Sequence, residues 1–245
     1  MNVRSIASLL FAAVLAAALG PTGRAQPAQP DWRAVEEETM RHFQALVRLD
    51  TANPPGNEAR AAEYVKRVLD AEGIPAQLVS RDPARPSVIA RLKGNGSRKP
   101  ILLLGHTDVV TVDPAKWKFP PFSATRDGGY VYGRGTVDDK DNLTAALMTM
   151  LLPKRGHVPL DRDVILLAES GEEGSDGVGI EFVVRNHFPL VEAEYCLAEG
   201  GSVTRKDGKV AFGTVQTLEK IPRRIELVAG EVDDRVALER HGTVP

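Results

Sequence analysis

The stretch ILLLGHTDVV, Ile101 to Val110, decides how this chain folds. Four consecutive aliphatic residues leave no polar position between them. A strand over Ile101 to Leu104 must therefore be covered on both faces, as in a largely parallel sheet between helices. The run stops at Gly105 and delivers His106 and Asp108 beyond the strand's carboxyl end. VILLAESGEEGS, residues 164–175, repeats the design, leading a strand over Val164 to Ala168 into Glu169, Glu172 and Glu173. A third, shorter strand, Tyr195 to Ala198, runs into Glu199, Gly200 and Gly201.

Periodicity predicts helices around these strands. Asp31 to Leu49 brings Val35, Met40, Phe43, Leu46 and Val47 near one face, until TANPPGNE breaks it. Asn57 is a candidate cap for a second helix with Ala61, Ala62, Val65, Val68 and Leu69 on its apolar face and Gly73 past its end. Asp139 to Leu152 buries Leu143, Ala146, Leu147, Met150 and Leu151, and Gly177 to Phe188 is a fourth helix. Further strands are expected at Ala76 to Val79, at Ser87 to Leu92, and at Lys209 to Thr214 as an outer strand. The loop from His106 to Gly135 is rich in Pro, Asp and Gly, and a loop of that length is usually functional. Strands alternating with helices define an α/β fold.

The chain has 245 residues, 42% hydrophobic and 26% charged, enough for an ordinary core. Its 31 basic residues balance 33 acidic ones and form no stripe, which excludes a nucleic-acid footprint. Residues 1–25 read as a signal peptide: Arg4, an apolar run from Ile6 to Leu19, then Gly23 and Ala25 before Gln26. That predicts a secreted or periplasmic protein with no stable membrane anchor, since the run is shorter than the roughly 20 residues that span a bilayer. Cys196, the one cysteine, lies in AEYCLA and is expected as a small buried hydrophobe.

Ligands of open α/β sheets bind beyond the carboxyl ends of strands. His106, Asp108, Glu172, Glu173 and Glu199 follow such ends, and Asp138 precedes a helix. Carboxylates gathered in one crevice repel and raise each other's pKa, unless a divalent cation neutralises them. One imidazole with several carboxylates suits zinc, with cobalt or manganese as alternatives. Each residue also has a plainer reading. His106 could be hydrogen-bonded at a turn, and Asp138 and Asp139 could be helix-capping acids. Glu172 and Glu173 could be acids in a first helical turn, and Glu199 a solvated strand end.

GHTDVV, YGRGTVDDK, ESGEEGSDGVG and LAEGG, in that order, resemble metallopeptidase family 20, as do the loop words WKFPPF and DGGYVYGRG. That family comprises the aminoacylase, acetylornithine deacetylase, succinyl-diaminopimelate desuccinylase and carboxypeptidase S-like zinc hydrolases. The resemblance runs from the first helix to about residue 220. It implies a three-layer α/β/α zinc-exopeptidase-like catalytic domain with two zinc ions, cleaving C–N amide bonds of small peptides or N-acyl amino acids. His106 would bind one ion, Asp138 would bridge both, Glu199 would complete the first site and Glu173 would bind the second. Asp108 would hold the imidazole in its ligating tautomer, and Glu172 would be the general base.

The likeness fades after about residue 229. The family inserts a small lid and dimerisation domain after a strand like KVAFGTVQTLEK, then returns to the catalytic domain with a further histidine for the second zinc. Residues 26–220 are thus expected as the N-terminal part of the catalytic domain, incomplete at its C-terminus. Residues 221–245 are expected as a remnant of the small domain or an aberrant tail, with His241 in HGTVP. A family homodimer would lack its usual dimer domain here. The alternative reading is a truncated, catalytically impaired homologue that binds metal or peptide.

Overall fold

A computed structural model describes residues 30–174 and 177–215. The chain divides into two compact units, one ending at Glu199 and one starting at Gly200. The expected signal peptide, the tail and His241 lie outside the described residues.

In chain order the first unit contains α1 (Trp32–Val47), β1 (Ala52–Asn53), α2 (Ala59–Ala71), β2 (Ala76–Val79), β3 (Ser87–Leu92), β4 (Ile101–His106) and β5 (Val109–Val110). It continues with β6 (Thr125–Asp127), β7 (Tyr130–Tyr132), α3 (Lys140–Arg155), β8 (Val164–Glu169), α4 (Ile180–Val191) and β9 (Tyr195–Leu197). A single 3-10 turn, Pro114–Lys116, sits in the long loop, which also carries the β6–β7 hairpin.

The central sheet has the order β2-β3-β8-β4-β9. Both β8 and β9 run parallel to β4, while β3 opposes β8 and β2 opposes β3, so β3 alone runs against the others. The sheet is largely parallel, and β4 lies between two parallel neighbours, as its unbroken aliphatic run required. Alternation divides the side chains between two helical layers. Leu103, Leu166 and Ala168 pack with Leu46 of α1, Val65 and Leu69 of α2, and Leu143, Leu147 and Leu151 of α3. Leu102, Ile165 and Leu167 face Val183 and Val191 of α4.

Helix α1 starts where Asp31 accepts hydrogen bonds from the Arg33 and Ala34 amides, at 3.1 and 3.3 Å. Asn57 does not cap α2. Glu58 occupies that place without a side-chain cap bond, because its fully buried carboxylate is turned to Arg85, and the Ala59 amide is met by the Ala84 carbonyl instead. The fourth helix begins at Ile180 rather than Gly177, so Glu172 and Glu173 precede it and are not acids of its first turn. Cys196 is exposed, and among the described residues β9 is an edge strand paired with β4 alone. In the second unit, Lys209–Thr214 (β11) is not an outer strand of the main sheet. It pairs antiparallel with Ser202–Lys206 (β10) across Asp207 and Gly208, both at positive φ, which is the two-residue turn that favours a hairpin.

The Glu58–Arg85 pair ties α2 to the approach to β3, and the network continues to the end of β8. The Ser170 hydroxyl donates to the Arg85 carbonyl at 2.9 Å and lies 3.2 Å from the Ser87 hydroxyl. Breaking one side of a buried pair leaves an uncompensated charge. Arg85→Ala should lower unfolding free energy by about 3 to 5 kcal/mol in denaturant titration. Replacing both residues by Met should cost clearly less.

Candidate metal centre

Strands β4 and β8 end side by side, with His106 in register with Glu169. His106 and Asp108 are almost wholly buried, and the site is closed below by the sheet. Helix α3 enters close to β4 at Gly105. A Cβ there would lie 3.0 Å from Asp139 Oδ2 and 3.3 Å from Leu143 Cα, so a side chain at this position would force Asp139 or α3 to give by a few tenths of an ångström.

Asp139 stands at the N-cap position of α3 but makes no side-chain cap bond. Its Oδ2 accepts instead from the His106 amide at 3.0 Å. A cis peptide joins it to Asp138, whose Oδ1 lies 2.8 Å from His106 Nε2. Glu172 Oε2 and Glu199 Oε1 approach the same nitrogen at 4.0 and 3.9 Å. On the far side of the ring, Nδ1 meets the Asp108 backbone carbonyl at 3.0 Å, with Asp108 Oδ1 at 3.6 Å. Asp108 thus meets the imidazole chiefly through its backbone carbonyl, with its carboxylate farther off.

The Asp108 carboxylate is occupied elsewhere. It accepts from the Glu172 and Glu173 amides at 3.1 and 3.0 Å and from Asn53 Nδ2 at 2.8 Å. Burial opposes its charge, but the adjacent His106 ring, with the hydrogen bonds from Asn53 and the Glu173 amide, holds its pKa below the usual carboxylate range. Other acids move upward. Burial pushes Asp139 to about 6, with Glu199 adding repulsion. Burial likewise pushes Glu169 to about 7, helped by Glu172, Asp108 and Glu199, and its Oε2 is buried without a hydrogen-bond partner among the described residues. Glu173 is raised too, by burial and then by Asp138.

All six expected residues, His106, Asp108, Asp138, Glu172, Glu173 and Glu199, are drawn together here. Ligand atoms of His106, Asp138 and Glu173 lie within 4.8 Å of one another, as do those of His106, Asp139 and Glu199. The two groups share one imidazole and otherwise offer only carboxylate oxygens, a donor set that fits one or two hard or borderline divalent cations. Sequence reasoning treated Asp139 as a capping acid and passed over Asn53 and Lys140. Lys140 is fully buried, donates to the Leu49 carbonyl at 2.7 Å, and is lowered by burial to about 8. The adjoining Asp138-Asp139-Lys140 run and the Asn-Pro-Pro-Gly turn were the available signals.

An α/β/α layer structure with an imidazole and converging acids at the carboxyl ends of its strands defines a protein with a candidate metal centre at its sheet edge. A family model, peptidase family M20/M25/M40, matches residues 102–241, and the chain belongs to that family. It is 36% identical over 142 residues to N-formyl-4-amino-5-aminomethyl-2-methylpyrimidine deformylase of Halalkalibacterium halodurans, covering 56% of this chain and 33% of that one. It is 36% identical over 140 residues to a probable succinyl-diaminopimelate desuccinylase of Staphylococcus aureus, covering 56% of this chain and 34% of that one. The chain therefore spans about a third of the length of these relatives. Among solved structures, an M20 family metallo-carboxypeptidase of Sulfolobus solfataricus superimposes with a TM-score of 0.59 at 27% identity, over 68% of this chain and 38% of that one.

Burial disfavours the His106 imidazolium, yet the Asp108 carboxylate, followed by Asp139 and Asp138, overrides it and pushes the pKa up to about 10 from 6.5. A raised folded-state pKa stabilises the fold fully below about 6.5, and that contribution is lost as pH rises through about 10. In chelator-treated protein, the His106 ring nitrogens followed by NMR should remain those of an imidazolium from about pH 5 to 8 and lose a proton only on the alkaline side of 8. Titration near 6.5 would contradict this electrostatic picture.

Proposed function

We propose that this chain is the metal-holding part of a zinc-dependent hydrolase that cleaves C–N amide bonds of small peptides or N-acyl amino acids. The observation that carries the reading is the pair of donor groups sharing His106, with Glu172 beside them. The relatives support amide cleavage without agreeing on the acyl group, being named a deformylase, a desuccinylase and a metallo-carboxypeptidase. The signal-peptide reading of residues 1–25 supports a secreted or periplasmic setting.

We assign His106, Glu199 and Asp138 to one ion, and Asp138 with Glu173 to a second, with zinc preferred and cobalt or manganese as substitutes. Asp139 is a further carboxylate within reach of the first group. When bound, such a cation polarises a scissile carbonyl and makes water acidic enough to attack near neutral pH. The Asp108 carbonyl accepts from Nδ1–H and leaves Nε2 as the ligating nitrogen. Glu172 takes a proton from the attacking water and passes it to the leaving amine as the C–N bond breaks. Its side chain is about two-fifths exposed, so solvent and substrate can reach it while the backbone beneath is tied to Asp108.

The test is metal content by mass spectrometry and turnover of a mixed panel of N-acyl amino acids and dipeptides, on the full chain. Glu172→Gln should keep its zinc while turnover falls by about a hundredfold to ten-thousandfold. His106→Asn should lose zinc. Zinc loss in folded Glu172→Gln would contradict the assignment of the base, and wild-type zinc binding without turnover on any panel member would favour the metal-binding homologue.

A further inference from the structure

The NPPG turn brings Asn53 beneath the glutamate pair. Strand β1 is fastened to the segment that follows His106, pairing Ala52 with Val109 and Asn53 with Val110 in parallel. The Thr51 hydroxyl donates to the Thr107 carbonyl at 2.7 Å, and the Val109 amide donates to the Thr51 carbonyl at 3.2 Å. Asn53, buried in this position, directs Nδ2 at two acceptors: Asp108 Oδ2 at 2.8 Å and the Glu173 carbonyl at 3.2 Å. The Glu173 backbone is therefore held on both sides, its N–H by the Asp108 carboxylate at 3.0 Å and its C=O by Asn53.

We propose that Asn53 is a positioning residue for the hydrolytic site: its amide holds the Asp108 carboxylate and the Glu173 carbonyl together, fixing the turn that carries Glu172 and Glu173. The inference rests on the proposed roles of those two glutamates but adds a residue to them. Glu172 and Glu173 lie between the end of β8 and the start of α4, outside regular structure, and Gly171 and Gly174 flank them. The clamp requires a donor, since Asp108 brings only acceptor oxygens and the Glu173 carbonyl is a third acceptor. Asparagine supplies two N–H groups from one nitrogen. Aspartate has the same shape but would set a second negative charge against Asp108.

That difference separates positioning from space filling. If Asn53 only fills volume, Asn53→Asp should be milder than Asn53→Ala, whereas a donor clamp makes the aspartate variant the worse of the two. With wild-type turnover in hand, Asn53→Ala should lower kcat by about tenfold to a hundredfold with KM within about twofold. Asn53→Asp should fall further.

A readout that needs neither metal nor activity is amide hydrogen exchange on the metal-free full chain. The Glu172 and Glu173 amides should exchange at least about tenfold faster in Asn53→Ala, while Ile165 to Leu167 in β8 keep wild-type rates. Should the alanine variant fail to fold, Asn53→Ser, too short to reach Asp108, carries the same comparison. Unchanged exchange at Glu172 and Glu173, or an aspartate variant milder than alanine, would overturn the inference. Absence of wild-type turnover would overturn the proposed function instead, and the exchange measurement would still decide the role of Asn53.

Discussion

A carboxylate with no access to water must be met by donors, and Asp108 recruits them from distant parts of the chain. Asn53 comes from the turn after α1, and the Glu172 and Glu173 amides come from the turn after β8. The same residue offers its carbonyl to the His106 ring. One buried aspartate thus fixes the imidazole, the turn bearing both glutamates and the loop that supports them. The sheet makes this feasible because β4 and β8 are parallel neighbours ending at the same level, with His106 beside Glu169.

The electrostatics follow from that crowding. Among the described residues His106 is the one buried imidazole, and Asp108, Asp139 and Asp138 hold it protonated in the absence of another cation. Even so, Asp139, Glu169 and Glu173 remain above the usual carboxylate range, so a single imidazolium does not neutralise the group. The arrangement favours entry of further positive charge and release of protons with it. A multivalent cation answers that demand while freeing His106 Nε2 to act as a ligand. Glu169 belongs to the same field but faces the α4 side of the sheet, as the alternation with Ile165 and Leu167 dictates, and neither donor group includes it.

Much of this was legible in the residues because strand ends and helix stripes are local signals. The ILLL and VILLA runs specified central strands, and every apolar position named on α3 is buried. The sheet-end acids converge because parallel strands place their carboxyl ends on one edge. What escaped reading was set by tertiary contact. Glu58 reads as a surface acid until Arg85, twenty-seven positions later, folds onto it. Asp139 has the sequence of a cap and instead binds the His106 amide. The Asp207-Gly208 turn is a local hairpin signal, and it pairs Lys209–Thr214, expected as an outer strand, with the strand just before it. Cys196 has apolar neighbours in sequence, yet it is exposed, because among the described residues nothing covers the face of β9 on which it lies.

The site also sorts its residues by exposure. His106, Asp108 and Asp139 are buried and tied to backbone groups, so their side chains have lost their freedom on folding. The side chains of Asp138, Glu172 and Glu199 are 57%, 43% and 42% exposed and line the open side. The hydrolytic role proposed for this site would call on both kinds. Fixed groups avoid reorganisation when charge develops, whereas a base that shuttles a proton between water and a leaving amine must swing between two partners. Fastening Glu172 by its backbone amide while leaving its carboxylate at the surface satisfies both demands in one residue.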